Sequence, residues 1–400
     1  METALLKVSD DILTSIDNRK AVALVMLDLT AAFDTIDHAI LLEMLRADFR
    51  IEAIVLQWIR SHLDNRRQAV VINGKVSPVT TLRYGVPQGS VLGPLLFTLY
   101  ITPLGSIIRR HGLVAHFYAD DTQLYLTFDP KVGDAENHAA AAVSAALGEI
   151  CRWMKSNFLK LNEKKTEYLL FSSPHMSNVI TGTPVLVGDE SVSPVSKARN
   201  RGVILDRTMS MEKHISHVCQ SAYYQLRRIA EIRHCLTFGA AENIIHALIT
   251  SRLDFCNSLL AGLPSSAISR LQAVQNAAAR LLMGIRKYDH ISPTLRELHW
   301  LPVYYRVQYK ILLLTYKALH KLSPSYITEL ISERQLRPGL RSSGLILQVP
   351  STRLKTYGDR AFSSIAPRLW NALPINLRNC DKLETFKSGL KTHLFQQICD

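Results

Sequence analysis

The sequence predicts an α+β domain followed by a mostly helical region, and three observations carry that prediction. A continuous apolar run, Ala21–Leu29, reads as a strand buried on both faces. Helical periodicity alternates with shorter strands in the first half, then takes over after about Lys213. The charge divides along nearly the same line. Residues 1–200 hold 20 Lys and Arg against 21 Asp and Glu, whereas residues 201–400 hold 27 against 13. The surplus of this +13 chain therefore lies in its second half, which suits either a polyanion-facing surface or a solvated basic one.

Each element follows from a local pattern. Thr3–Ile16 sets Leu5, Val8, Ile12 and Ile16 on one helical face, and Ala39–Leu45 and Ile51–Leu63 are also helical. Strands Gln68–Ile72 and Val79–Leu82 flank Asn73-Gly74, a favoured hairpin turn. Ser90–Ile108 reads as a buried helix entered through a glycine-rich turn. It lies in the uncharged stretch Tyr84–Ile108, where Pro87, Pro94 and Pro103 are too many breaks for a membrane span. Val114–Ala119 and Thr122–Phe128 form a hairpin with Asp120-Asp121 at its tip. Ala135–Phe158 is a long helix and Thr166–Phe171 a strand. Helices then cover Lys213–Arg233, Ala240–Leu253, Ser265–Leu282, Tyr304–Leu322, Pro324–Ile331 and Leu383–Gln397, with a loop over Arg334–Pro350.

Composition excludes several classes. A chain of 400 residues, 47% hydrophobic and 20% charged, is neither a disordered tail nor a disulfide scaffold. Its six cysteines include no Cys-x-x-Cys pair, which argues against a zinc ribbon and fits a reducing compartment. His214, His217 and Cys219 read as ordinary residues of a helix start. The acidic N-terminus is unlike a signal peptide, so the expected location is intracellular, nucleus or cytoplasm, with no membrane partner.

Three carboxylates carry the sharpest chemistry. Asp28 interrupts an apolar strand between Leu27 and Leu29, where an unpaired anion would be costly. Asp120 and Asp121 repel each other at a hairpin tip that would ordinarily favour glycine. If the strand of Asp28 lies beside that hairpin, all three meet at one sheet edge. Such oxygen ligands suit Mg²⁺, and two ions about 3.5–4 Å apart serve in-line phosphoryl transfer. The alternative is a strand-end cap plus an acidic turn.

The surrounding residues resemble the reverse transcriptases of non-LTR (LINE-type) retrotransposons. LDLTAAFDTIDH (Leu27–His38), YGVPQGSVLGPLLFTLYI (Tyr84–Ile101), FYADDTQLY (Phe117–Tyr125) and LKLNEKKTEYLLF (Leu159–Phe171) resemble four palm motifs, in order. The segments His299–Pro324 and Ala366–Pro374 are similar to the family's C-terminal region. The resemblance implies a right-hand polymerase palm over 1–206 without its fingers. A helical thumb-like region over 207–290 and a basic helical extension over 291–400 follow. It implies RNA-directed DNA polymerase activity on an RNA template, DNA primer and deoxynucleoside triphosphates, with two Mg²⁺ or Mn²⁺ ions. The other reading is an inactive nucleic-acid-binding remnant of such an element.

The same resemblance assigns roles. Asp28, Asp120 and Asp121 would hold the metals, and Lys165 would stand near the departing pyrophosphate, with Lys164 its neighbour and competitor. Phe33 would be a steric gate beneath the sugar, or simply a core residue. Gln88, Gly89, Ser90 and Tyr118 would line the substrate site, although Ser90 equally suits a helix cap. Asp34 would serve local hydrogen bonding. With only 27 residues before Asp28, the fingers and the family's N-terminal endonuclease are expected to be absent. Arg201 stands where the family carries an apolar strand residue. In the basic half, Arg227, Arg228 and Arg233 would grip a duplex. The stripe Arg306, Lys310, Lys317 and Lys321 suits phosphate tracking or plain solvation.

Overall fold

The computed structural model describes residues 1–87, 89–334 and 345–398. The chain forms two compact units. One comprises Ala21–Leu170 with Pro174–Ser196; the other comprises Met1–Lys20, Phe171–Ser173 and the chain from Lys197 onward. In chain order the first elements are α1 (Glu2–Asp17), β1 (Ala21–Leu27), β2 (Leu29–Thr30), α2 (His38–Ala47) and α3 (Ala53–Leu63). A narrow ribbon follows: β3 (Arg67–Gln68), β4 (Val71–Ile72), β5 (Lys75–Val76) and β6 (Thr80–Thr81). Then come α4 (Gly93–Ile101), α5 (Leu104–Arg110), β7 (Val114–Tyr118) and β8 (Asp121–Phe128). The unit closes with α6 (Ala135–Ser156), β9 (Lys160–Leu161) and β10 (Glu167–Phe171). This is a mixed helix-and-sheet fold of the expected α+β kind.

Four strands form its main sheet, in the order β10-β1-β8-β7. β1 is interior and almost wholly buried, which is why its sequence is continuously apolar rather than alternating. It runs antiparallel to β8, from Ala21 opposite Phe128 to Leu27 opposite Thr122. On α6, Val143, Leu147, Ile150 and Met154 recur at helical spacing and are buried with α4 residues Leu96, Phe97 and Tyr100 in one core. Truncating Leu147 to alanine there would cost about 2–5 kcal/mol.

Three expectations are corrected here. The helix over Ser90–Ile108 is two helices, because Pro103 lacks the N–H that would continue α4; Thr102 N donates to Leu99 O and α5 starts afresh. The strand over Ala21–Leu29 breaks at Asp28: residues before it pair with β8, and Leu29 and Thr30 pair with β9. The hairpin tip is Ala119-Asp120, and Asp121 is the first residue of β8, opposite Tyr118.

The other unit gathers α1, the hairpin Lys197–Asn200/Val203–Asp206 and the long helices Glu212–Ile232, Ser265–Met283, Val303–Leu319 and Leu383–Gln396. The expected helix Ala240–Leu253 is α-helical to Ile245 and passes through a π-helical stretch, His246–Thr250. Tyr316 stacks on Phe386 with ring centroids 4.3 Å apart, and Trp370 joins them in a second core. Arg201 lies in the turn between the two strands Lys197–Asn200 and Val203–Asp206, with φ 46°. His214 is buried and its Nδ1 accepts from Ile204 N; burial pushes its pKa down to about 4.

α1 belongs to this unit through specific bonds. Glu2 accepts from Ser258 Oγ at 2.7 Å and pairs with Lys310 at 3.2 Å. Asp10 accepts from Ser363 N at 2.8 Å, and Asp17 accepts from the N–H groups of Arg353 and Leu354. Arg306 pairs with Asp254 at 2.7 Å. Two of the four cations in the expected phosphate stripe, Arg306 and Lys310, are thus committed within the unit. Of the loop expected over Arg334–Pro350, residues 335–344 lie outside the described residues, as do Gln88 and Cys399. Among the described residues, no helix is long and apolar enough to cross a membrane.

Candidate active site

The strand ends at one side of the main sheet carry the acidic residues. Leu27 faces Thr122 as the last pair of the β1–β8 ladder, so Asp28 and Asp121 are the residues next to that pair on the two strands, and Asp121 itself faces Tyr118. Asp120 adjoins Asp121 in the two-residue turn. That turn is reached through Ala119 at φ 54°, a left-handed conformation that costs an alanine about 1–2 kcal/mol.

Asp28 sits at the switch between two strand partners, and the switch fixes it. Its carbonyl accepts from Asn162 N at 2.8 Å. Its carboxylate accepts from Asn162 Nδ2 at 3.4 Å and pairs with Lys165 Nζ at 3.2 Å. Of the adjacent lysines it is therefore Lys165 that reaches the acidic residues, projecting from the short 3₁₀ helix Glu163–Lys165 rather than from a strand edge. Among the described residues, no three Asp, Glu, His or Cys side chains stand in a metal-holding arrangement, these three aspartates included. The backbone brings the acidic positions to one place; the side chains are not gathered around a common point.

The first two motif segments are clamped together. Gly85 N donates to Ile36 O and Val86 N donates to Phe33 O, each at 2.8 Å. His38 Nε2 donates to Gly85 O at 2.7 Å, a role that sequence reasoning missed although His38 closes the first motif. A Cβ on Gly85 would stand 2.9 Å from Asp34 O, so close backbone approach belongs to Gly85. Gly89 has nothing within 4 Å of such a Cβ, and it is glycine for its φ of 77° instead. Phe33 packs on Phe97 of α4, ring centroids 4.8 Å apart, and remains half-buried. Ser90 Oγ accepts from Gly93 N at 3.0 Å, satisfying a first-turn donor of α4. Tyr118 is exposed.

Residues 7–205 match the family described as "Reverse transcriptase (RNA-dependent DNA polymerase)". This segment belongs to the reverse transcriptase family. The chain is similar to the "Probable RNA-directed DNA polymerase from transposon X-element" of Drosophila melanogaster, 26% identical over 299 residues. It is also similar to the RNA-directed DNA polymerase of the mobile element jockey of the same fly, 23% identical over 297 residues. These matches cover 73% and 72% of this chain but only 32% and 31% of the relatives, so the chain spans about a third of their length. They put the reverse transcriptase segment on the non-LTR, LINE-type side of the family. The family as a whole uses divalent metal ions. Among solved structures, telomerase from Candida albicans in complex with a fragment of telomeric RNA is 14% identical with a TM-score of 0.37. That match covers 77% of this chain and 50% of the telomerase chain.

Proposed function

We propose that the chain carries the polymerase centre of a non-LTR retrotransposon reverse transcriptase. The reaction is RNA-templated addition of deoxynucleotides to a primer 3′-hydroxyl. The observation that supports this reading is the end of the β1–β8 ladder at Leu27 and Thr122, where Asp28 follows one strand and Asp121 precedes Thr122 on the other, with Asp120 next in the turn and Lys165 on Asp28. The sheet-bearing unit serves as the palm, and the helix Glu212–Ile232 with its neighbours serves as a thumb on the primer–template duplex. The partners are an RNA template, a DNA primer and deoxynucleoside triphosphates.

The donor set fits a hard divalent cation. All three candidates are carboxylates, none is fully buried, and carboxylate oxygens at a solvent-accessible edge are what Mg²⁺ takes. Asp28, Asp120 and Asp121 would hold two Mg²⁺ (or Mn²⁺) ions, which would supply activation of the attacking hydroxyl and neutralisation of the leaving pyrophosphate. The protein's own residues do the rest. Lys165 Nζ stands ready as the proton donor to the leaving group. Phe33, braced by Phe97, forms the wall that a 2′-hydroxyl would strike. Tyr118 and the Gly89-Ser90 turn border the nucleotide; Gln88, expected from the sequence to join them, lies outside the described residues.

A second reading is a binding remnant of such an element, without turnover. Primer extension on an RNA template with Mg²⁺ decides between them. Extension by the chain that is lost in Asp120→Asn supports the polymerase. Nucleic-acid binding without extension under any divalent ion supports the remnant.

A further inference from the structure

The ribbon β3–β6 offers a surface that the polymerase reading leaves unused. It is ordered from stem to tip. Leu82 N donates to Arg66 O at 2.8 Å, Arg67 pairs with Thr81, and Ser77 N donates to Val70 O at 2.9 Å. Val71 then pairs with Val76, and the tip Asn73-Gly74 has φ of 49° and 78°, the two positive values of a type I′ turn. The arm from Arg67 to Ile72 extends roughly 17 Å at about 3.4 Å per residue.

Its side chains contradict a solvated ribbon. A hairpin lying on one surface alternates apolar and polar residues. Here Val71 and Val76 share one face while Val70 and Ile72 share the other, and all four are 60–66% exposed. The Val71–Val76 face is apolar, the other sets Val70 and Ile72 against Ser77 and Lys75, and neither is covered within its unit. An arm of this kind gains by insertion between two surfaces rather than by lying on one. Its surroundings say which kind. Residues 60–83 hold Arg60, Arg66, Arg67, Lys75 and Arg83 against Asp64 alone. Arg66 is tied to His62, while Arg60, Arg67, Lys75 and Arg83 are exposed. Arg67 and Arg83 lie at the stem, Arg60 lies on the preceding helix α3, and only Lys75 lies near the tip. An apolar tip on a cationic stem complements paired nucleic acid, with stacked bases inside and phosphates outside.

We propose that this ribbon is a strand-separating wedge: it enters the fork of a base-paired template with its apolar tip between the strands and its basic stem against their phosphates. The stem runs directly into Tyr84–Val86, which is hydrogen-bonded to the Phe33–His38 segment, so a strand held at the stem is held relative to the candidate active site. The proposal rests on the polymerase reading only in calling the opened duplex a template.

The test therefore omits nucleotides. The full chain is mixed with an RNA fork carrying 2-aminopurine at its first base pair, and opening is read as fluorescence gain while anisotropy reads binding. The unaltered chain should bind and open the fork. The triple variant Val71→Ser, Ile72→Ser, Val76→Ser, folded by circular dichroism, should bind within about twofold but lose the opening signal. The pair Arg67→Ser, Arg83→Ser should weaken binding roughly tenfold at 0.1 M salt. Undiminished opening by the tip variant overturns the proposal. So does a tip variant that changes only self-association of the chain, which would make the ribbon a protein contact. Extension on an unstructured template, run alongside, keeps the two readings apart: the tip variant should retain whatever extension the unaltered chain shows.

Discussion

Gly85 and Gly89 both carry left-handed backbone, but only Gly85 is crowded. Gly89→Ala should cost only the conformational strain, about 1 kcal/mol. Gly85→Ala adds a collision with the backbone of Asp34 and should cost about 3 kcal/mol in all, measured by denaturant melts. Equal losses would show that the 84–86 clamp is loose. The lysines divide in the same way. Lys165 stands 3.2 Å from Asp28, so Lys165→Gln should slow single-turnover extension about 100-fold with little change in nucleotide affinity. Lys164→Gln should change it by no more than about threefold. Reversed effects would show that the fourth motif turns over on substrate binding. Phe33→Val should raise ribonucleotide incorporation by at least about tenfold, since the wall beneath the sugar recedes while Phe97 stays. Unchanged discrimination in that variant would return Phe33 to the core.

Local patterns carried most of the sheet-bearing unit, because β1, β8 and α6 owe their form to apolar runs and periods that lie within each segment. The apolar stretch after Ser90 was legible as helix but not as two, since α4 and α5 are both buried and only Pro103 marks the joint. The site was legible as residue types, not as contacts: His38 to Gly85 and Asn162 to Asp28 span chain separations that no periodicity encodes. α1 is the plainest case. Its helical face was evident, yet its polar bonds reach residues more than 250 positions away. Asp10 makes this measurable. Burial lifts its carboxyl from the ordinary 3.8 to about 6, more than the Ser363 N–H lowers it. The folded state thus holds the proton more tightly than the unfolded state. Asp10's contribution to stability is most favourable below pH 4, falls as pH rises from about 4 to 6, and above that carries the full penalty of a buried anion, about 3 kcal/mol. Asp10→Asn keeps an acceptor for Ser363 N and removes the titration. Melts across pH 4–8 should lose that slope and show the variant more stable than the parent at pH 7. A parental slope retained by the variant would mean that another group titrates there.

At the scale of the molecule, charge and chemistry are segregated. The unit holding α1 and the chain from Lys197 carries 32 Lys and Arg against 17 Asp and Glu, while the sheet-bearing unit carries 15 against 17. The candidate catalytic residues all lie in the second of these, where the local basic exception is the ribbon. Long-range attraction for a nucleic-acid backbone scales with the cations that neutralise phosphates, each releasing about 0.9 counterion on duplex DNA. Affinity should therefore be set mainly by the first unit, and chemistry by the second. Asp28→Asn and Asp120→Asn should abolish extension yet leave duplex affinity, measured without divalent ions, within about twofold of the parent, because each removes one anion from a site that does not supply the main grip. Substituting Arg227 and Arg228 with serine should do the opposite. Affinity should fall and the slope of log affinity against log salt should flatten by about one to two, while extension at saturating primer–template is retained. If the aspartate variants bind duplex much more tightly than the parent, the carboxylates are repelling a backbone already pressed against them. If Arg227 and Arg228 leave the salt slope untouched, their helix does not face nucleic acid, and the basic surplus is, as its Asp254–Arg306 and Glu2–Lys310 pairs already are in part, a matter of internal charge pairing.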